Sequence, residues 1–445
     1  MQHCDTLILA DWCVPVEPHD LVLTEHAVVV NDGRITEILP AADARDRYEP
    51  STLIERPGHV LIPGLVNAHT HAAMTLFRGL ADDMPLERWL REGIWPVETR
   101  WVSAEMVRDG TRLAIAEMLR SGCTCFSDQY FYPGIVAESA VEMQMRAMVG
   151  TPIIEFTTPW AENAADCMRK GAEEVHDRYA NHALISSCFA PHSTGTVSDE
   201  SFHELRVLAD QLDSPVQIHL HETAQEIADA IKETGKRPFD RLREHGLVNS
   251  SLLAVHAVHL TADEISQFAD AGVSVAHCPR SNLKLASGIA EVATLQKAGI
   301  NVALGTDGAA SNNVLDMLGE MRTAALLAKA RANDASALPA ADALRMATLN
   351  GAIALGLADS IGSIEPGKWA DLTCIDLRHI NSQPVYDPVS QVVYTANANQ
   401  VSDVWVAGRH QVEDGNLTRI DENELLQRAS EWRSRLHNGK ETKTT

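Results

Sequence analysis

Between residues 61 and 307, short apolar runs of strand length alternate with longer stretches of helical period. Six of the runs stop at a histidine or an aspartate. The runs lie near 61–67, 124–128, 146–154, 184–190, 215–220, 251–256, 273–277 and 300–306. Helical stretches such as 104–121, 135–144, 163–179, 199–212, 223–234, 262–271 and 288–298 fall between them. Eight β/α repeats in this order imply a TIM-type (β/α)8 barrel. Such barrels carry their chemistry at the C-terminal ends of the strands, so ligand-type side chains should collect at the run ends.

They do. The first run ends in His69 and His71, the fourth in Pro191-His192, and the fifth in His219-Leu220-His221-Glu222. The sixth, seventh and eighth end in His256, His277 and Asp307. Taken singly, each is compatible with a core histidine or a cap; Thr306-Asp307-Gly308 reads as an N-cap as readily as a ligand. Gathered on one rim, they point to a site.

The chain ends read differently. Ala27–Asn31 and Arg34–Leu39 flank Asp32-Gly33, a strong hairpin signal. A barrel does not normally start with a hairpin, so residues 1–58 are assigned to a separate small β unit. The barrel is assigned to 59–362. Beyond the turn cluster Gly362–Lys368, strand-like Asp371–Asp376 and Val401–Val406 return the chain to β, so 363–430 completes the unit. The expectation is a small β-sandwich built from both chain ends, followed by a polar tail at 431–445 that frays.

Bulk properties exclude some functions. The net charge is −24, from 37 basic and 61 acidic residues, which disfavours nucleic acid and anionic membranes as partners. No apolar run is long enough for a membrane span, and Met1–Asp5 lacks the basic start of a secretory signal. The eight scattered cysteines read as reduced thiols of a cytoplasmic protein.

In a strand, residues i and i+2 share a face, so His69 and His71 point the same way. A catalytic zinc needs about three protein ligands and an open position, sometimes with a further ligand. His69, His71, His219 and Asp307 are the best set; nitrogen and oxygen donors suit Zn²⁺, and Fe²⁺ or Mn²⁺ less specifically. Asp307 could bind the metal and also take a proton from its water. Glu222, just past the fifth run, is placed as a general acid/base for hydrolytic removal of an amine. His221 is read as structural. The residue three beyond Glu222 is Gln225 rather than His, so the helical metalloprotease motif is absent. So is the His-x-Glu with Pro-Cys-x-x-Cys signature of the other zinc deaminases. Two-metal barrels commonly use a modified lysine on the fourth strand, and residues 184–192 contain none, so one metal is expected.

Several stretches carry a family likeness: Pro-Gly-Leu-Val-Asn-Ala-His-Thr-His (63–71), Met74–Gly79, Ala190–Ser193, His219–Thr223, His-Cys-Pro-Arg-Ser-Asn-Leu-Lys-Leu (277–285) and Gly305–Gly308. With these the chain resembles the amidohydrolase superfamily, and within it most closely the methylthioadenosine/S-adenosylhomocysteine deaminases. The resemblance implies one zinc per subunit on His69, His71, His219 and Asp307. It implies that Glu222 protonates a purine ring nitrogen and that His256 steadies the metal-bound nucleophile. It makes Leu86–Glu98 similar to a substrate-capping helix, with Glu98 on the ribose hydroxyls and His192 against the nucleoside. His259 competes with His256, and the strand-end rule favours His256. Trp89, Met84 and Trp160 are candidate walls for a thioether. Some members place an arginine after the third strand to hold the homocysteine carboxylate; 150–156 has none and Arg146 lies earlier, which tilts the expectation to methylthioadenosine. The implied partners are a small purine nucleoside and further copies of the chain. Guanine or a triazine at the same site, and a non-catalytic barrel scaffold, are the alternatives.

Overall fold

Gly64 divides two sheets. The computed structural model describes residues 1–441. In it the strand Tyr48–Pro63 pairs antiparallel with Leu372–Asp376, Leu61 facing Cys374, while barrel strand 1 runs from Leu65 to Thr70. A Cβ on Gly64 would stand 2.1 Å from Thr124 Oγ1, so only glycine fits here. The expected strand at 61–67 is thereby corrected, and 59–63 belong to the other sheet. The run is apolar throughout, so periodicity alone could not show where one sheet stops.

The barrel strands are Leu65–Thr70, Cys123–Gln129, Arg146–Ile153, Ile185–Pro191, Val216–Leu220, Leu252–His256, Ser274–His277 and Asn301–Leu304, paired in chain order. This is the parallel eight-stranded barrel with helices that the alternation implied. The last strand returns to the first: Asp307 N donates to His69 O over 3.0 Å. Gly305 permits the approach, since a Cβ there would lie 2.9 Å from the His69 backbone. Strands covered on both faces read as continuous apolar runs, which is why length and punctuation, rather than alternation, revealed them.

The second sheet is a continuous eight-stranded ladder built from both chain ends, with Tyr48–Pro63 between Leu372–Asp376 and Gln2–Cys13. Its hairpin turns at Asp32 and Gly33, both at positive φ, and pairs Asn31 with Arg34. Neighbours Leu7 and Ile8 bury in different apolar clusters, as do Val28 and Val29, so both faces of this sheet are covered.

The described residues divide into two compact units. One holds Met1–Asn67, Ala116–Cys125 and Asp316–Ile420; the other holds Ala68–Ile115, Phe126–Leu315 and the chain from Asp421. Residues 316–362, assigned from sequence to the barrel, group with the second sheet. The tail is also corrected: a helix runs from Glu422 to Glu441, with Leu425, Trp432 and Leu436 buried. Trp432 Nε1 donates to Asp109 Oδ2 at 2.7 Å, and Arg428 donates to the same oxygen at 2.6 Å. The polar composition masked three apolar residues at helical spacing. Residues 442–445 of the expected tail lie outside the described residues.

Candidate active site

The rim of the barrel brings its ligand-type residues into one cluster. Alternation on strand 1 turns His69 and His71 to one face, and Thr70 turns the other way to donate to Asp307 O at 3.0 Å. One ring nitrogen on each of His69, His71 and His219 lies within 4.8 Å of the others. His71 Nδ1–H donates to Gln129 O at 2.6 Å, and His219 Nδ1–H donates to His192 O at 2.7 Å. Those bonds fix the tautomers and leave the Nε2 lone pairs facing inward. His69 Nε2 stands 3.2 Å from His219 Nε2. Asp307 Oδ1 is 3.1 Å from His71 Nε2 and 3.7 Å from His69 Nε2.

Bare nitrogens facing one another beside a carboxylate make a cavity of negative potential that a divalent cation relieves. Three imidazoles, two of them oriented from outside by carbonyls, and one carboxylate held by the Ser281 and Ser311 hydroxyls fit zinc. The electrostatics agree for His69 and His219, while at His71 the carboxylate holds a proton that the cation would replace. Burial takes His69 down to about 4 and holds His219 well below the usual imidazole range. Burial also opposes a charged His71, but the Asp307 carboxylate outweighs it and lifts His71 to about 9. Burial pushes Asp307 up, and its hydrogen bonds with His69 and His71 more than reverse this.

Around the cluster stand the acid/base candidates. Glu222 is buried, and its carboxyl is raised by that burial. His256 Nε2 lies 3.7 Å from Glu222 Oε2. His221, His256, Ala257 and Asp307 all take positive φ, a concentration of backbone strain of the sort found at working sites. His192 stacks edge-on with His219, centroids 5.2 Å apart, and burial lowers it to about 4.

The segment expected to cap the site is a helix of changing pitch: Leu86–Arg88 is α, Trp89–Ile94 is a π turn, and Trp95–Trp101 is α again. Such π turns recur at functional sites. Glu98 accepts a 2.7 Å hydrogen bond from Tyr130 Oη, and the charge of His71 favours its carboxylate form. Trp89 is buried on the same helix, and its indole Nε1 has no hydrogen-bond partner among the described residues.

Of the other rim histidines, two bond away from the cluster and the third is buried. His221 accepts from Phe239 N at 3.2 Å and lies beside Arg237 and Glu264. His259 Nε2 donates to Ser287 O at 2.7 Å. His277 is buried, and that burial brings it down to about 3. Arg146 opens barrel strand 3 at the end away from the rim and donates to Ala183 O at 2.7 Å.

Sequence reasoning passed over the residues that hold these groups. Asp128 accepts from Ala72 N at 2.6 Å, fixing the turn after His71. Glu226 accepts from Glu222 N at 2.8 Å, and its position four residues on, one helical turn, was a usable signal. Ser281 and Asn282 stood inside a stretch already singled out.

A parallel barrel with three imidazoles and a carboxylate converging on its C-terminal rim is the framework of a metal-dependent hydrolase. The amidohydrolase family model matches residues 60–410, and the chain belongs to that family. It is 48% identical over 427 residues, 96% of each chain, to the 5-methylthioadenosine/S-adenosylhomocysteine deaminase of Teredinibacter turnerae. A crystal structure of an adenosine deaminase from Xanthomonas campestris with bound zinc superimposes with a TM-score of 0.97 at 52% identity, covering 98% of this chain and 99% of that one. The zinc complex of atrazine chlorohydrolase from Arthrobacter aurescens gives 0.89 at 24% identity, over 96% and 99% of the two chains, and shows the fold alone.

Proposed function

We propose that the protein is a zinc-dependent hydrolase that removes the 6-amino group of an adenine nucleoside, with 5′-methylthioadenosine as the preferred substrate. The observation that carries this reading is the convergence of His69, His71, His219 and Asp307 on one point beside a buried, protonation-prone Glu222. The full-length relatives' names support the substrate class.

His69, His71, His219 and Asp307 would hold the zinc, which when bound supplies the Lewis acidity that brings a water's pKa near 7. Asp307 takes a proton from the attacking water. Glu222 holds a proton in its buried carboxyl and delivers it to ring N1, next to C6. His256, facing Glu222, keeps the attacking oxygen oriented. Protonation of N1 opens C6 to attack; Asp307 then passes its proton to the amino group, which leaves as ammonia while the hydroxyl proton returns to Glu222, giving the inosine analogue. Glu98 accepts from the ribose hydroxyls, His192 lies against the nucleoside, and Trp89 walls the thioether.

The preference for methylthioadenosine over S-adenosylhomocysteine rests on charge. No arginine follows barrel strand 3 within 150–156, and Arg146 is committed at the far end of that strand. Adenosine is a second candidate substrate, supported by the likeness to the Xanthomonas adenosine deaminase. The same reading places the protein in the cytoplasm, which its eight free and buried cysteines support, and expects it to associate with further copies of itself. No helix among the described residues is long and apolar enough to cross a membrane.

The test is ammonia release from methylthioadenosine, S-adenosylhomocysteine, adenosine and guanine by zinc-loaded protein. The proposal expects the highest kcat/KM for methylthioadenosine. Turnover of guanine alone, or of none of the four, rejects it.

A further inference from the structure

Residues 278–287 follow barrel strand 7 as one short helix, Pro279–Lys284, and a tight turn. Asn282 N donates to Cys278 O at 3.0 Å and Leu285 N to Ser281 O at 2.9 Å; the chain then closes on itself, Ser287 N on Asn282 O at 2.8 Å. Ala286 at φ +55° and Gly288 at φ +130° make the turn. His259 anchors Ser287 O from outside, and a Cβ on Gly288 would meet Val258 Cγ1 at 2.8 Å. The backbone is thus held along its whole length.

Three side chains leave this turn toward three different partners. Ser281 Oγ donates to Asp307 Oδ2 at 2.6 Å. His256 Nδ1–H donates to Asn282 Oδ1 at 2.9 Å. Ser287 Oγ donates to Glu222 Oε1 at 3.1 Å. All six residues are buried. Their partners come from three separate strands, the fifth, sixth and eighth, each with its own following loop.

We infer that this turn is a single positioning element for proton transfer, in which Ser281, Asn282 and Ser287 set Asp307, His256 and Glu222 in register with one another. The inference rests on the deaminase reading above, which needs one proton to leave toward Asp307 and another to arrive from Glu222. Misplacement of either group by an ångström is costly in rate, and parallel strands alone do not fix side-chain tips that closely. Asn282 also holds the hydrogen of His256 on Nδ1, so Nε2 is the atom presented to Glu222. Ser287 stabilises the charged form of Glu222.

The test compares Ser287→Ala, Ser287→Thr and Asn282→Ala in the zinc-loaded enzyme. Ser287→Ala should lower kcat about 10- to 100-fold with KM changed less than about threefold. Losing a donor to the carboxylate raises its pKa, and Glu222 works protonated. The alkaline limb of kcat/KM should therefore move up by about one pH unit. Ser287→Thr keeps the hydroxyl and should restore both kcat and the limb. Combining Ser287→Ala with Asn282→Ala should cost less than the product of the single losses, because the two act on one unit. A carboxyl ¹³C NMR titration of Glu222, assigned with Glu222→Gln, reads the same shift without turnover. An unmoved Glu222 titration in Ser287→Ala, or a limb that stays in place, overturns the inference. Absence of ammonia release by the wild type would reject the deaminase reading instead, and the titration would still decide the role of Ser287.

Discussion

Tyr130 donates its phenol hydrogen to Glu98 Oε1 over 2.7 Å, joining the end of barrel strand 2 to the helix Trp95–Trp101. Burial raises the Glu98 carboxyl, and this hydrogen bond and the charge of His71 pull it back. Tyr130→Phe removes the donor and leaves Glu98 more often protonated, a poorer acceptor for ribose hydroxyls. A hydrogen bond to a charged group is worth about 1.5–3 kcal/mol, so KM for methylthioadenosine should rise roughly tenfold or more, with kcat changed little. Steady-state kinetics at pH 7 check it; an unchanged KM removes Glu98 from ribose recognition.

Asp307 is asked to do two things, to complete the metal ligands and to take a proton. Asp307→Asn keeps an oxygen that can coordinate but abolishes the base. Turnover should fall by about 10²–10⁴-fold while zinc measured by atomic absorption stays near one per chain. Chelation of the wild type should abolish turnover and lower the melting temperature, since an ion bound only by the folded protein stabilises it. Readdition of zinc should restore both. Near-normal turnover in Asp307→Asn would leave the proton with another group.

Glu226 holds the backbone rather than the side chain of Glu222, accepting from Glu222 N at 2.8 Å while its own N–H donates to Thr223 Oγ1 at 3.0 Å. Burial, then the neighbouring Glu222 charge, raises it to about 7. Glu226→Gln keeps an acceptor and removes the second charge, so it should retain most activity. Glu226→Ala removes the acceptor and should cost about tenfold in kcat. Equal losses in the two variants would mean that the charge, not the hydrogen bond, matters.

The barrel was legible because eight buried strands gave eight apolar runs of the right length, and because function stacked histidines and an aspartate at their ends. The cluster of His69, His71, His219 and Asp307 followed from alternation on strand 1 and from two later strand ends. What stayed hidden depends on long-range packing. Nothing local at Leu61 says that it pairs with Cys374. Ser281 and Ser287 are ordinary small polar residues until the fold carries them to Asp307 and Glu222. The C-terminal helix was misread because its three buried residues are diluted among charged ones.

Outside the barrel rim, the second sheet contains a buried charge pair that makes a stability prediction. Arg56 donates to Asp403 twice, Nε and Nη2 each at 2.6 Å, and His410 Nε2 lies 3.0 Å from the same carboxylate. Burial alone would raise Asp403; these partners outweigh it and bring it down to about 2. A carboxylate whose folded pKa lies below its unfolded value of about 3.9 stabilises the fold above that value. The contribution is lost as pH falls from about 4 through 2. A shift of this size corresponds to about 2–3 kcal/mol. Other carboxylates titrate in the same window, so the informative quantity is a difference. Asp403→Asn should be less stable than wild type at pH 6, since Arg56 keeps only the exposed Asp414, 3.1 Å away, as a charged partner, yet should lose about 2 kcal/mol less between pH 5 and pH 2.5. Urea unfolding followed by a probe in the second sheet measures both slopes, and parallel slopes in the two proteins would remove Asp403 from the acid response.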